Sequence, residues 1–215
     1  MKAYGSRLRA QGLGLRVCIA LCGLTAATVV LAAPKFLSVW KSPDVARLNF
    51  AGKKVAALVI TGDQSLQMSG EEALTRELQA RGVTGVATYR MIPREELKDV
   101  DKAKGWFERG GVQGVVAIRP VSRDVDRTYS PVVWSSGYYQ SFWGYYGTGW
   151  TTVQFSPSTR TETRIVVETL VFNVPQDKLV WAAASETKNP DTLQDFVKDL
   201  VNATVSEMKK LKLVG

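Results

Sequence analysis

Residues 164–187 constrain the fold more than any other stretch. They read Arg-Ile-Val-Val-Glu-Thr-Leu-Val-Phe-Asn-Val, then Pro-Gln-Asp-Lys, then Leu-Val-Trp-Ala-Ala-Ala-Ser-Glu-Thr. Two runs rich in β-branched and aromatic residues around a polar break holding Pro175 and Asp177 predict a hairpin. Strand alternation puts Val166, Leu170, Phe172 and Val174 on one face of the first run. It puts Ile165, Val167 and Val171 on the other, with Thr169 and Asn173 among them. A strand apolar on both sides belongs inside a sheet that is covered on both sides.

The rest of the chain supplies the elements for such a sheet. Residues 1–33 read as an export signal: Lys2, Arg7, Arg9 and Arg16 precede the uncharged run Val17–Ala33, with cleavage expected after Ala32. An uncleaved anchor is the alternative, and both place the domain outside the cytoplasm. Residues 34–51 form a lead-in, and residues 52–215 a single domain. Val55–Ile60 is a short continuous apolar run, the mark of a buried central strand. Ser69 and Glu72 suggest a capping box opening a helix that runs to Gly82. Val83–Tyr89 is a second strand, a helix holding Trp106 and Phe107 stops at Gly110-Gly111, and Gly114–Ile118 is a third strand continuing past Pro120. This spacing predicts parallel strands with Val55–Ile60 in the middle. The last helix, with Asn189 as cap and Pro190 in its first turn, carries Leu193, Phe196, Val197, Leu200, Val201, Thr204, Val205, Met208 and Leu211 on one face. The expected fold class is α/β: a mixed sheet, β-α-β-α-β, then a long loop, a β-hairpin and a C-terminal helix.

Composition excludes several chemistries. The chain has no His, which removes the usual neutral-pH general base and the commonest metal ligand. Cys18 and Cys22 both lie in the apolar N-terminal run, so the domain holds no disulfide and no thiolate metal site. Neither stands at the end of that run, as a lipid-bearing Cys does. The net charge of +8 falls to a surplus of 4 once the four N-terminal cations are set aside, which is no nucleic-acid footprint.

Residues 129–160 form a Gly/Tyr/Trp-rich insert. From Tyr129 to Phe155 it holds ten of the chain's twenty aromatic residues, with no charge between Arg127 and Arg160. Gly interrupts it at 137, 144, 147 and 149, which argues against a core strand and for a loop. Tyr and Trp tolerate water at one end, so such a loop suits an interface, a sugar face or the headgroup zone of a membrane.

Three segments carry a resemblance: Ser38-Val39-Trp40-Lys41-Ser42-Pro43-Asp44, the aromatic insert, and Glu168–Val174 leading into Lys178-Leu179-Val180-Trp181. Together they resemble a group of bacterial envelope lipoproteins that carry a domain of unknown function. In that group a Trp-Lys-x-Pro-Asp segment precedes a buried strand, and the closing hairpin reads like Thr-Gly-Lys-Leu-Val-Trp. The layout is also similar to the amino-terminal domain of TolB and to curli-secretion lipoproteins. The resemblance implies an envelope location and binding work, with no catalytic residues to carry over. This chain departs from it in lacking a Cys at the end of the signal and in reading Pro-Gln-Asp-Lys at the turn.

No motif names a reaction. Gly110–Gly114 lies between helix and strand, the wrong order for a phosphate-cradling loop. Thr61-Gly62-Asp63 ends the first strand, where α/β sites often sit, but without a Gly-rich fingerprint it reads as a turn. Glu95, Glu96, Asp99 and Asp101 beside Lys98, Lys102 and Lys104 read as a solvated face. The expectation is a non-enzymatic envelope protein, an interaction or assembly factor, with no cofactor and no metal. Its partner is an envelope protein or membrane-proximal surface, met by Tyr138, Tyr139, Phe142, Trp143, Tyr145, Tyr146 and Trp150. On this reading, removing Gly137–Trp150 leaves the fold intact. A glycan-binding module would use the same rings. A hydrolase using Glu168 and Glu186 as facing carboxylates is a third reading.

Overall fold

The computed structural model describes residues 34–123, 134–150, 164–190 and 192–215. The chain divides into two units, Met1–Val30 and Leu31–Gly215. The expected signal, Cys18, Cys22 and the flanks of the insert lie outside the described residues.

Six strands form one mixed sheet: β1 (Lys35–Lys41), β2 (Lys54–Val59), β3 (Thr84–Ala87), β4 (Gly114–Arg123), β5 (Arg164–Asn173) and β6 (Lys178–Lys188). Their order is β1-β6-β5-β4-β2-β3. β2 runs parallel to both β3 and β4. The β5–β6 hairpin then joins antiparallel through β4. The expected class and the central place of Val55–Ile60 are both found. The lead-in, however, supplies an edge strand: β1 pairs antiparallel with β6. Its two sides both touch core, Phe36 meeting Trp181 edge-on at 6.2 Å while Leu37 and Trp40 pack on the opposite face. A register shift between Phe36 and Ser38 separates the two settings.

Helices cover both faces. On one lie α1 (Gln64–Gln79) and α6 (Leu193–Lys210), packed over Val55, Ala57, Val59, Val167, Val171 and Trp181. On the other lie α3 (Val100–Arg109), the short α2 (Thr88–Met91) and two helices of the insert, α4 (Gly137–Gln140) and α5 (Phe142–Gly149). Helix boundaries differ from expectation at two points. α1 starts earlier, because the Asp63 carboxylate accepts the Leu66 N–H at 3.0 Å, and Ser69 and Glu72 fall inside the helix. α6 is capped by Thr192, whose hydroxyl accepts the Asp195 N–H at 3.1 Å. Asn189 instead takes a left-handed turn, at φ 44°.

The insert departs furthest from expectation. α5 repeats its inward residues at helical spacing: Phe142, Tyr145, Tyr146 and Gly149 are all buried. Phe142 and Tyr145 meet Phe172 of β5 at 5.3 and 5.6 Å between ring centroids. Phe142 also meets Phe107 of α3 at 5.4 Å. A Cβ on Gly149 would stand 2.9 Å from Ile60 Cδ1, so a larger residue there would displace the tip of that side chain. Each fully buried ring contributes about 1.5–3 kcal/mol of transfer free energy.

Candidate functional site

The seven rings expected at the surface are instead the cover of one sheet face. Phe142, Tyr145 and Tyr146 are 0% exposed and Trp150 is 9% exposed, while Tyr138, Tyr139 and Trp143 are half-buried. The expected exposure is therefore corrected for Phe142, Tyr145, Tyr146 and Trp150, which cover the second apolar face of β5, while Tyr138, Tyr139 and Trp143 keep part of their surface in solvent.

Beneath them lies an ion pair. Arg119 of β4 and Glu168 of β5 are cross-strand partners, joined from Arg119 Nη2 to Glu168 Oε2 at 2.8 Å. The Tyr139 hydroxyl donates to Glu168 Oε1 at 2.7 Å. The Arg119 guanidinium stands 5.4 Å from the Tyr145 ring centre. Burial pushes the Tyr145 hydroxyl well above its ordinary pKa, and it has no hydrogen-bond partner among the described residues. Glu168 and Glu186 do not face each other. Glu168 stands opposite Ala184, and Glu186 opposite Val166. Glu186 pairs with Arg164 at 3.3 Å and Lys188 at 3.9 Å. Each of the two carboxylates is held by a cation, Glu168 by Arg119 and Glu186 by Arg164 and Lys188.

An open concavity lies at the C-terminal end of β2, flanked by the parallel strands β3 and β4. It is a cleft of about 410 Å³. It is lined by Thr61 and Gly62 after β2, by Gln64 and Gln67 of α1, by Arg94, Glu95, Leu97 and Lys98 of the turn before α3, and by Trp150. Helices leave β2 and enter β4 on opposite faces of the sheet, and α/β proteins place ligands at such a crossing. The walls are tied together. Arg94 Nη1 donates to Gln64 Oε1 across the cleft, and the Tyr146 hydroxyl donates to the Leu97 carbonyl below it.

Gln67 connects the cleft to a buried carboxyl. Its Nε2 donates to Glu71 Oε1 at 3.2 Å. Glu71 also accepts the Val59 N–H at 3.1 Å and the Tyr89 N–H at 2.7 Å, so it joins α1, β2 and α2. Burial pushes its pKa up to about 7, against the pull of those N–H groups. The turn at Thr61-Gly62 thus lines a candidate site as well as ending a strand. Arg94 and Lys98 gave no sign in the sequence, since cations beside an acidic run look like any solvated face. Only the packing of the turn at residues 94–98 against α1 distinguishes them. Among the described residues no helix is long and apolar enough to cross a membrane, and no cluster of ligating side chains could hold a metal ion.

No protein-family profile and no curated protein matches the sequence. Among solved structures the chain is similar to the PelC dodecamer from Paraburkholderia phytofirmans, at 13% identity and a TM-score of 0.44, covering 81% of this chain and 95% of that one. It is also similar to lipoprotein GNA1162 from Neisseria meningitidis, at 12% identity and a TM-score of 0.38, covering 74% and 99%. At TM-scores below 0.5 these likenesses carry nothing about what this chain does.

Proposed function

We propose that the chain is a non-catalytic recognition domain of the bacterial cell envelope, and that it recognises its partner through the cleft at the end of β2. The envelope location rests on the basic and apolar pattern of residues 1–33. The observation that carries the binding reading is the cleft's lining: amides, a hydroxyl, two cations, one carboxylate and a buried Trp edge. Such groups hold a ligand. None is an activated nucleophile beside a base, and Glu71, the carboxyl with a raised pKa, accepts three hydrogen bonds behind Gln67.

Photo-crosslinking tests this reading. Gly62 is exposed, and a Cβ there meets nothing within 4 Å, so a photoreactive side chain at position 62 leaves the packing alone. In envelope fractions it should capture a defined partner, whereas the same group at Tyr138 should not. Capture at 138 with none at 62 would return the function to the insert.

A further inference from the structure

We infer that the cleft takes an oxyanion, a phosphate or carboxylate group carried by a small molecule or a headgroup, between Arg94 and Lys98. This rests on the cleft being the binding site. The lining holds two cations against the single carboxylate of Glu95. The Arg94 guanidinium is exposed on the cleft lining and donates to Gln64 Oε1 across it. The planar guanidinium keeps further N–H groups, and its fork suits a bidentate oxyanion. Gln67, only 7% exposed, is held from behind by Glu71, and buried Leu97 and Trp150 complete the wall. A volume of about 410 Å³ falls in the range of small-molecule sites. Glu95 sets a limit, since it repels a ligand carrying several charges spread over its length.

Titration of the folded domain at low salt, followed by backbone amide shifts, tests this with inorganic phosphate, acetate, glycerol phosphate and a neutral sugar as probes. Phosphate or glycerol phosphate should give saturable shifts at Gln64, Gln67, Leu97 and Trp150. Binding should weaken at least tenfold in Arg94→Ala/Lys98→Ala and be retained in Lys98→Arg, which keeps both charges and the Arg94 fork. Sedimentation with phosphatidylglycerol or phosphatidylcholine vesicles separates the sources. Retention on the former alone, lost in the double alanine variant, identifies a headgroup, and shifts without retention identify a free solute. Shifts scattered over surface lysines and unchanged by the double variant would overturn the inference. A neutral sugar moving the cleft amides where phosphate does not would overturn the oxyanion but keep the cleft as the site.

Discussion

Asp177, in the turn between β5 and β6, accepts the backbone N–H of Trp143 at 3.1 Å through Oδ1, and the hydroxyl of Ser141 at 2.7 Å through Oδ2. The hairpin thus caps the first turn of α5 and pins the insert to the sheet. Asp177 has φ 49°, a left-handed setting that Asp and Asn tolerate better than most residues. Asp177→Ala should cost about 1 kcal/mol through the lost cap, with Asp177→Asn milder. Asp177→Gly relaxes the backbone while also losing the cap, so chemical denaturation of all three separates capping from strain.

Removing Gly137–Trp150 should unfold the domain, because Leu170 and Phe172 would lose their cover. Phe142→Ala alone should cost about 3–5 kcal/mol. Circular dichroism and urea midpoints measure both.

Arg119 and Glu168 are 15% and 3% exposed, so neither charge is tolerated alone. Arg119→Met should cost about 3–5 kcal/mol by stranding Glu168. Arg119→Met combined with Glu168→Leu should cost less than the two single changes summed, and a double-mutant cycle gives that difference.

Glu71 makes stability depend on pH. Its folded pKa of about 7 lies above the ordinary 4.5, so the folded state binds this proton more tightly than the unfolded chain. The resulting stability is fully present below about pH 4.5 and is lost as pH rises through about 7, a change of about 3 kcal/mol. Glu71→Gln should flatten that part of the profile, as urea melts from pH 4.5 to 8 would show.

Much of the fold was legible because its signals are local and periodic. The Val55–Ile60 run, the hairpin and the apolar face of α6 each follow from spacing alone. β1 was not legible, since an edge strand of seven residues with a bulge carries no clean alternation. The insert misled through its glycines. Its helical period, 142, 145, 146 and 149, was present in the sequence, but glycine at three of the eight positions of α5 hid it. The hairpin held the correction: both faces of β5 are apolar, α6 covers one, and the other needed a cover. The candidate cleft was legible only at Thr61-Gly62, because Arg94 and Lys98 reach it through the packing of a turn.

Amide hydrogen exchange across α5 tests the central claim, that Phe142, Tyr145 and Tyr146 belong to the core of the domain. The amides of Tyr145 and Tyr146 should exchange as slowly as those of Leu170 and Phe172, through the same global opening. Exchange at Tyr145 and Tyr146 within seconds, while β5 stays protected, would contradict it.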